Sequence, residues 1–417
     1  MPTQTEMSPR AAWLLILAAA AILMITMGAR LTTGLFMSPI NTSTGLGIAS
    51  ISFALAVGQF VWGAAQPVFG AVADKFGSAK VIILGAVMLA AGLALTPFVS
   101  SQWGLMFTMG FLSAAGAGAG SFSILIGATA QRLPAARRPF AAGFINAGGS
   151  FGQFVFAPLM QAIISSAGWI AAMMTMAVTT LLTIPLAWPL RRGAGITTVG
   201  GAPAAKPVDA PGMGLAKQIR IALRDPSYLF LHAGFFTCGF HIAFLVTHLP
   251  GEVALCGLSA GVSATALALI GLFNIAGSLT AGALSTRYRM KSLLALMYAS
   301  RAVIVVIYLL APKTPLTFYV FAGALGFTWL ATVPPTAGLV GKLFGMRYLS
   351  TLFGLTLLSH QVGGFLGAWL GGLSFVTFGD YTWMWYADIV LAIGAALINL
   401  PIREAHVARA GVMPAKA

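Results

Sequence analysis

Apolar residues fill long unbroken stretches of this chain, and polar residues gather in the short gaps between them. A surface helix would show charge on one face, turn after turn; these runs carry almost none on any side, the pattern of segments surrounded by oil. Twelve runs recur at about 20 residues or more, the length that crosses a hydrocarbon core of about 30 Å. They predict helices over residues 12–36, 47–72, 79–99, 103–130, 139–164, 167–190, 228–250, 261–285, 291–311, 315–341, 349–376 and 381–402. Ala18 to Ala21 have the small side chains of a signal-cleavage region, but the apolar run continues through them, which predicts a retained first helix. The expected fold is an all-α membrane protein with twelve transmembrane helices.

Composition supports this. The chain is 59% hydrophobic and 7% charged, where a soluble domain carries about 25% charged residues. A net charge of +15 raises the question of nucleic acid, and the positions of the charges answer it. Of the 23 Lys and Arg residues, all but Arg30, Arg301 and Lys313 fall in the terminal segments, alternate loops and a central linker, which share one side if the N-terminus is cytoplasmic. The positive-inside rule accounts for that asymmetry. It predicts a multi-pass protein of a bacterial inner membrane with both termini in the cytoplasm and no nucleic-acid partner. Cys238 and Cys256 offer neither a disulfide framework nor metal-ligand spacing, and no phosphate-cradling glycine loop or nucleophile–base set occurs. No enzyme activity, cofactor or metal is expected.

The stretch 191–226, rich in Gly, Ala and Pro, predicts a cytoplasmic linker between six-helix bundles over 1–190 and 227–417, with "LAKQIRIALRD" as a short surface helix. The two halves repeat. "GAVADKFGSAK" (Gly70 to Lys80) follows the second run and "GALSTRYRMK" (Gly282 to Lys291) follows the eighth, about half the chain later. Gly70, Asp74, Lys75 and Gly77 in the first copy, and Gly282 and Arg287 in the second, form a basic turn; Asp74 can accept hydrogen bonds from a helix N-terminus. Repeats of this kind build two bundles that rock about a central site. The twelve-run plan with this motif resembles the major facilitator superfamily over the whole chain. The segment Arg30, Gly34, Phe36 and Pro39, with "WLATVPPTAGLV" and "SHQVGGFLGAWLGG", is similar to the branch containing monocarboxylate transporters and oxalate/formate antiporters. That resemblance implies a cationic anchor at Arg30. A second arginine, frequent in the eighth span of that branch, is replaced here by Ser278, with Asn274 nearby.

Ionisable residues inside apolar spans are costly, about 2.5–3.5 kcal/mol each at the bilayer centre, and so mark function by default. Arg30 lies about 26 Å from the start of its helix, toward the outer side; Thr26 and Thr33 share its face. It can bind an anion or reach out to lipid headgroups. His241 lies mid-depth in span 7 on one stripe with Thr237 and His248, fit either for substrate and proton or for packing, with His248 placed at the outer interface. His360, with Gln361, carries polarity into a small-residue face of span 11. Arg301 and Asp388, in spans 9 and 12, are expected to form a structural ion pair, and Asp388 joins His241 and His360 as a proton-coupling candidate. Gln59, Asn274 and Thr332 complete the expected substrate cavity. The glycine-dense stretches of spans 4, 5 and 11 predict close helix packing.

The expected function is a secondary active transporter of a small organic anion, a monocarboxylate, with proton symport by alternating access and a monomer as the working unit. The alternatives are an anion exchanger of the oxalate/formate kind and a proton-coupled efflux pump for drugs or metabolites.

Overall fold

Turn residues set the limits of the helices. The computed structural model describes residues 8–130, 132–134, 137–191, 214–345 and 349–405. Among them no strand occurs, and eleven segments are long and apolar enough to cross a membrane. We number the spans 1 (Pro9–Thr44), 2 (Ile48–Gly70), 3 (Ser78–Phe98), 4 (Gln102–Thr129), 5 and 6 (both within Phe140–Leu186) and 7 (Pro226–Leu255). The rest are 8 (Ala260–Leu284), 9 (Met290–Leu310), 10 (Pro315–Phe344), 11 (Thr351–Phe378) and 12 (Thr382–Asn399). Gly168, at φ +85°, divides spans 5 and 6, a backbone conformation that strains any residue with a Cβ. With that division the twelve predicted spans are all present. Leu215–Ala222 forms the helix expected before span 7; the linker residues 192–213 lie outside the described set.

Local chemistry explains the starts. Ser8 accepts from the Ala11 amide ahead of Pro9, and Asp225 accepts from the Ser227 and Tyr228 amides ahead of Pro226. Proline in the first turn needs no hydrogen-bond partner for its nitrogen, so these caps are cheap and sharp. Gly77 (φ +98°) lets the chain turn from the helix Ile48–Phe76 into span 3. The side chains of Asp74 and Lys75, on which the motif places its charge, lie outside the described set.

Several basic residues tie helix ends together at one face. Arg132 donates to the carbonyls of Pro189 (2.7 Å) and Leu190 (2.9 Å) at the end of span 6. Arg403 pairs with Asp225 at 2.6 Å, and Lys342 with Glu404 at 3.1 Å. The start of span 7 and the ends of spans 6, 10 and 12 therefore belong to this basic face. Beyond the opposite end of span 9, Lys313 donates to the Leu309 and Ala311 carbonyls. Burial lowers the pKa of its ammonium, and Glu252 pulls the other way.

Glycine stripes bring pairs of helices to backbone contact in both halves. A Cβ at Gly152 of span 5 would stand 2.0 Å from the Met24 carbonyl oxygen of span 1. In the second half, a Cβ at Gly363 or Gly367 of span 11 would stand 2.0 or 2.2 Å from the Phe236 or Phe240 carbonyl oxygens of span 7. Side-chain size, not polarity, decides such contacts, as in membrane helices generally. Across the halves, span 2 packs on span 11 and span 5 on span 8. Away from the basic face this seam is tight: a Cβ at Gly34 would stand 2.1 Å from the Val246 carbonyl oxygen, and one at Gly372 2.4 Å from Ser52 Oγ.

Candidate functional site

Span 1 brings Arg30 to the seam between the halves. The helix begins at Pro9 and runs on to Thr44 through a tight turn at Thr33–Phe36, so helix continues on both sides of Arg30. Its Nη2 donates to Gln59 Oε1 of span 2 and reaches Gln361 Oε1 of span 11 at 3.4 Å. Trp62, three residues from Gln59 and hence on the same helical face, holds its ring 4.1 Å from the guanidinium carbon. Among the described residues no carboxylate pairs with Arg30. Headgroup snorkelling is ruled out by these contacts. Of its two companions, Thr26 turns away to the Gly120 carbonyl of span 4 (3.0 Å), and Thr33 bonds the Arg30 carbonyl.

Arg30 lines a cavity of about 20 Å³, the room one water needs. Met27, Leu31, Trp62 and Phe122 complete its first-half wall. Phe235, Ile242, Phe353, Leu357 and His360 stand opposite, with Leu330 and Val333 from span 10. The His360 ring is buried; Gln361 Nε2 approaches its Nδ1 at 2.7 Å, and its Nε2 has no partner among the described residues. Arg30, Gln59, Gln361 and His360 thus form one polar cluster drawn from both halves. The two carboxamides offer oxygen to Arg30 at the positions a bound carboxylate could take over.

A second group of charges lies elsewhere. His241 Nδ1 is bonded to Asp388 Oδ2, both residues fully buried, and His241 Nε2 and Asp388 Oδ1 have no partner among the described residues. Residue 242 faces the cavity and His241 does not; its ring stands against Trp329 at 5.9 Å. The expected Arg301–Asp388 ion pair is therefore not formed. Arg301 donates to the Thr328 and Trp329 carbonyls and, at 3.3 Å, to Cys238 Sγ. The reason is span 10, whose helix breaks over Trp329–Thr332 ahead of Pro334 and Pro335. Carbonyls at a helix break lose their i+4 amide partners, those of Thr328 and Trp329 need others in an apolar interior, and Arg301 supplies them.

Asn274 and Thr332 serve the same break and do not line the cavity. Asn274 Oδ1 accepts from the Leu330 amide (2.9 Å) while its Nδ2 donates across the seam to Ser150 Oγ (2.8 Å). Thr332 Oγ1 lies 3.4 Å from Cys238 Sγ. Ser278, at the position of the absent arginine, accepts from Asn146 Nδ2 at 3.0 Å, so this corner is interhelical glue. His248 is not interfacial: it is buried, its Nε2 2.7 Å from the Ala368 carbonyl oxygen. Gly70 and Gly282 each have open space where a Cβ would be, and Arg287 is exposed.

Two features escaped the sequence. Glu252 is a second acid within the spans, buried and accepting from Tyr308 Oη at 2.7 Å. Pro250–Gly251 resembles a helix end, yet span 7 continues to Leu255. Trp62, whose ring stands against Arg30, is the other, and its spacing from Gln59 was the available signal.

The model of the Major Facilitator Superfamily matches residues 14–368. The oxalate:formate antiporter of Oxalobacter formigenes is 24% identical over 94% of this chain and 91% of its own length. Monocarboxylate transporter 13 of Bos taurus is 26% identical over 93% of this chain and 89% of its own. Among solved structures, a bacterial homolog of the human lysosomal transporter Spinster, inward-facing and unoccupied, superposes with a TM-score of 0.69 at 14% identity, covering 94% of this chain and 96% of that one.

Proposed function

We propose that this chain, which belongs to the Major Facilitator Superfamily, carries a small organic monocarboxylate across the cytoplasmic membrane together with a proton. The observation that carries the proposal is Arg30, a guanidinium on a cavity between the halves whose side-chain partners are neutral. A cation without an anion inside a bilayer is expensive, and the site that keeps one is kept for an anion. Relatives named for oxalate, formate and monocarboxylates support the class of guest.

Residues 1–190 and 227–417 act as two bundles that rock about Arg30, joined by 191–226, in a monomer whose basic face is cytoplasmic. In the empty closed carrier the Gln59 and Gln361 oxygens and the Trp62 ring stand in for the anion. An entering carboxylate displaces them and pairs with Arg30, and His360 Nε2 donates the second bond. Closure then covers a neutral pair rather than a bare charge. The proton rides on His360 or on the His241–Asp388 pair, which makes the cycle electroneutral.

Uptake of labelled carboxylates into proteoliposomes, against protein-free vesicles, tests this. The expected result is saturable uptake that an inward proton gradient accelerates. Flux that demands a carboxylate on the far side and ignores the gradient would assign exchange instead, and the absence of any carboxylate flux would end the proposal.

A further inference from the structure

Spans 5 and 8 meet across the seam in a short polar ladder. Span 5 contributes Asn146, Ser150 and Gln153, spaced by four and three residues and so on one face. Span 8 runs the other way and sets Ser278, Asn274 and Gly271 against them at the same spacing. Nearest the basic face, Asn146 Nδ2 donates to Ser278 Oγ at 3.0 Å. One turn deeper, Asn274 Nδ2 donates to Ser150 Oγ at 2.8 Å, and Ser278 Oγ joins the two rungs by donating to Asn274 Oδ1 at 3.3 Å. The third rung sets Gln153 against a residue without a side chain: a Cβ at Gly271 would stand 3.1 Å from the Gln153 Cβ. Gln153 is fully buried, and among the described residues neither its Nε2 nor its Oε1 has a partner. Asn146 Oδ1 is the other side-chain atom of the ladder without a partner among them.

A buried carboxamide with both ends unpaired disfavours the form that buries it, by about five- to a hundredfold in population for each group. The bonded rungs favour that same form. Resting on the two-bundle carrier described above, we infer that the ladder is a balanced latch. Asn146, Ser150, Asn274 and Ser278 hold the basic end of the seam closed, and Gln153 works against them so that the closed form does not outlast the transport cycle. When the halves part at the basic face, water reaches Gln153 and its penalty is released, whereas the bonded groups only exchange one partner for another. The latch also reaches the anion site, because Asn274 Oδ1 accepts from the amide of Leu330, a residue of the cavity wall. Packing alone does not account for Gln153: a methionine has similar reach and no amide to leave unpaired.

Spin labels at Arg137→Cys and Thr286→Cys, exposed positions at the basic ends of spans 5 and 8, read the seam in the purified full chain on a Cys256→Ser background. Ser150→Ala leaves the Asn274 amine unpaired in the closed form. It should shift the ratio of short to long label spacings toward the long by at least about fivefold. Gln153→Met added to Ser150→Ala should shift the ratio back by as much. Alone, Gln153→Met should raise the melting temperature and slow net uptake by about fivefold or more, a pairing of gained stability with lost flux that a packing residue would not give. A Ser150→Ala protein with unchanged spacings, or a Gln153→Met protein that melts lower or fails to reverse the shift, overturns the latch and leaves the anion reading standing. Spacing and melting need no guest, so a parent that moves no carboxylate would count against the anion reading and not against the latch.

Discussion

Arg30 and Arg301 are both arginines inside the membrane-spanning bundle, yet their surroundings differ in kind. Arg301 is fully buried within the second half, its two Nη groups donating to two backbone carbonyls and a cysteine. Arg30 stands where the halves meet, on a cavity, held by two side-chain amides that come from opposite halves. Backbone carbonyls move only when the helix does, whereas carboxamides can swing aside. One arginine thus holds a break in span 10, and the other is left exchangeable. The lesson is that a charge in oil is diagnosed by whether its partners can be replaced, not by its depth.

The comparison can be broken by exchanging the expected effects. Arg301→Leu leaves two carbonyls unsatisfied in an apolar interior, at about 1–3 kcal/mol each. Its folded yield and melting temperature in detergent should fall sharply, while the protein that does fold still binds carboxylate. Normal melting with lost binding would reverse the roles of the two arginines. Gln59→Leu removes one acceptor from Arg30, a charged hydrogen bond of about 1.5–3 kcal/mol, in the empty closed carrier. Net uptake, which requires the empty carrier to return, should slow by about tenfold or more; exchange, which does not, should be spared. Equal slowing of both would mean that Gln59 serves the loaded form. Asp388→Asn sharpens the contrast from the other side. Coupling between sites commonly amounts to about 1–3 kcal/mol, so acceleration by a proton gradient should vanish while carboxylate affinity stays near the parent's. Retained acceleration would place the proton on His360.

Much of this was legible in the sequence, because apolar run length and turn residues report directly on helices that cross a bilayer. The division at Gly168 falls one residue inside the predicted span that begins at 167. Arg30 and His360 stood out as isolated polarity, and the structure brings both to one cavity. Pairing across helices was not legible. Periodicity gives the face a residue occupies but not the neighbour it meets, so Asp388 was matched to Arg301 by opposite charge when His241 was the partner. The double proline at 334–335 foretold an interrupted span 10, but not that Arg301 and Asn274 would satisfy the freed backbone. Glu252 was hidden by a proline that the helix passes through without ending.

Carboxylate affinity of the parent, Arg30→Gln and Arg30→Lys, with melting recorded alongside, tests the central claim most directly. With one charge-assisted pair removed from a water-poor site, Arg30→Gln should lose about a hundredfold or more at unchanged melting, and Arg30→Lys should recover part of it. An Arg30→Gln protein that binds carboxylates as tightly as the parent would contradict the account.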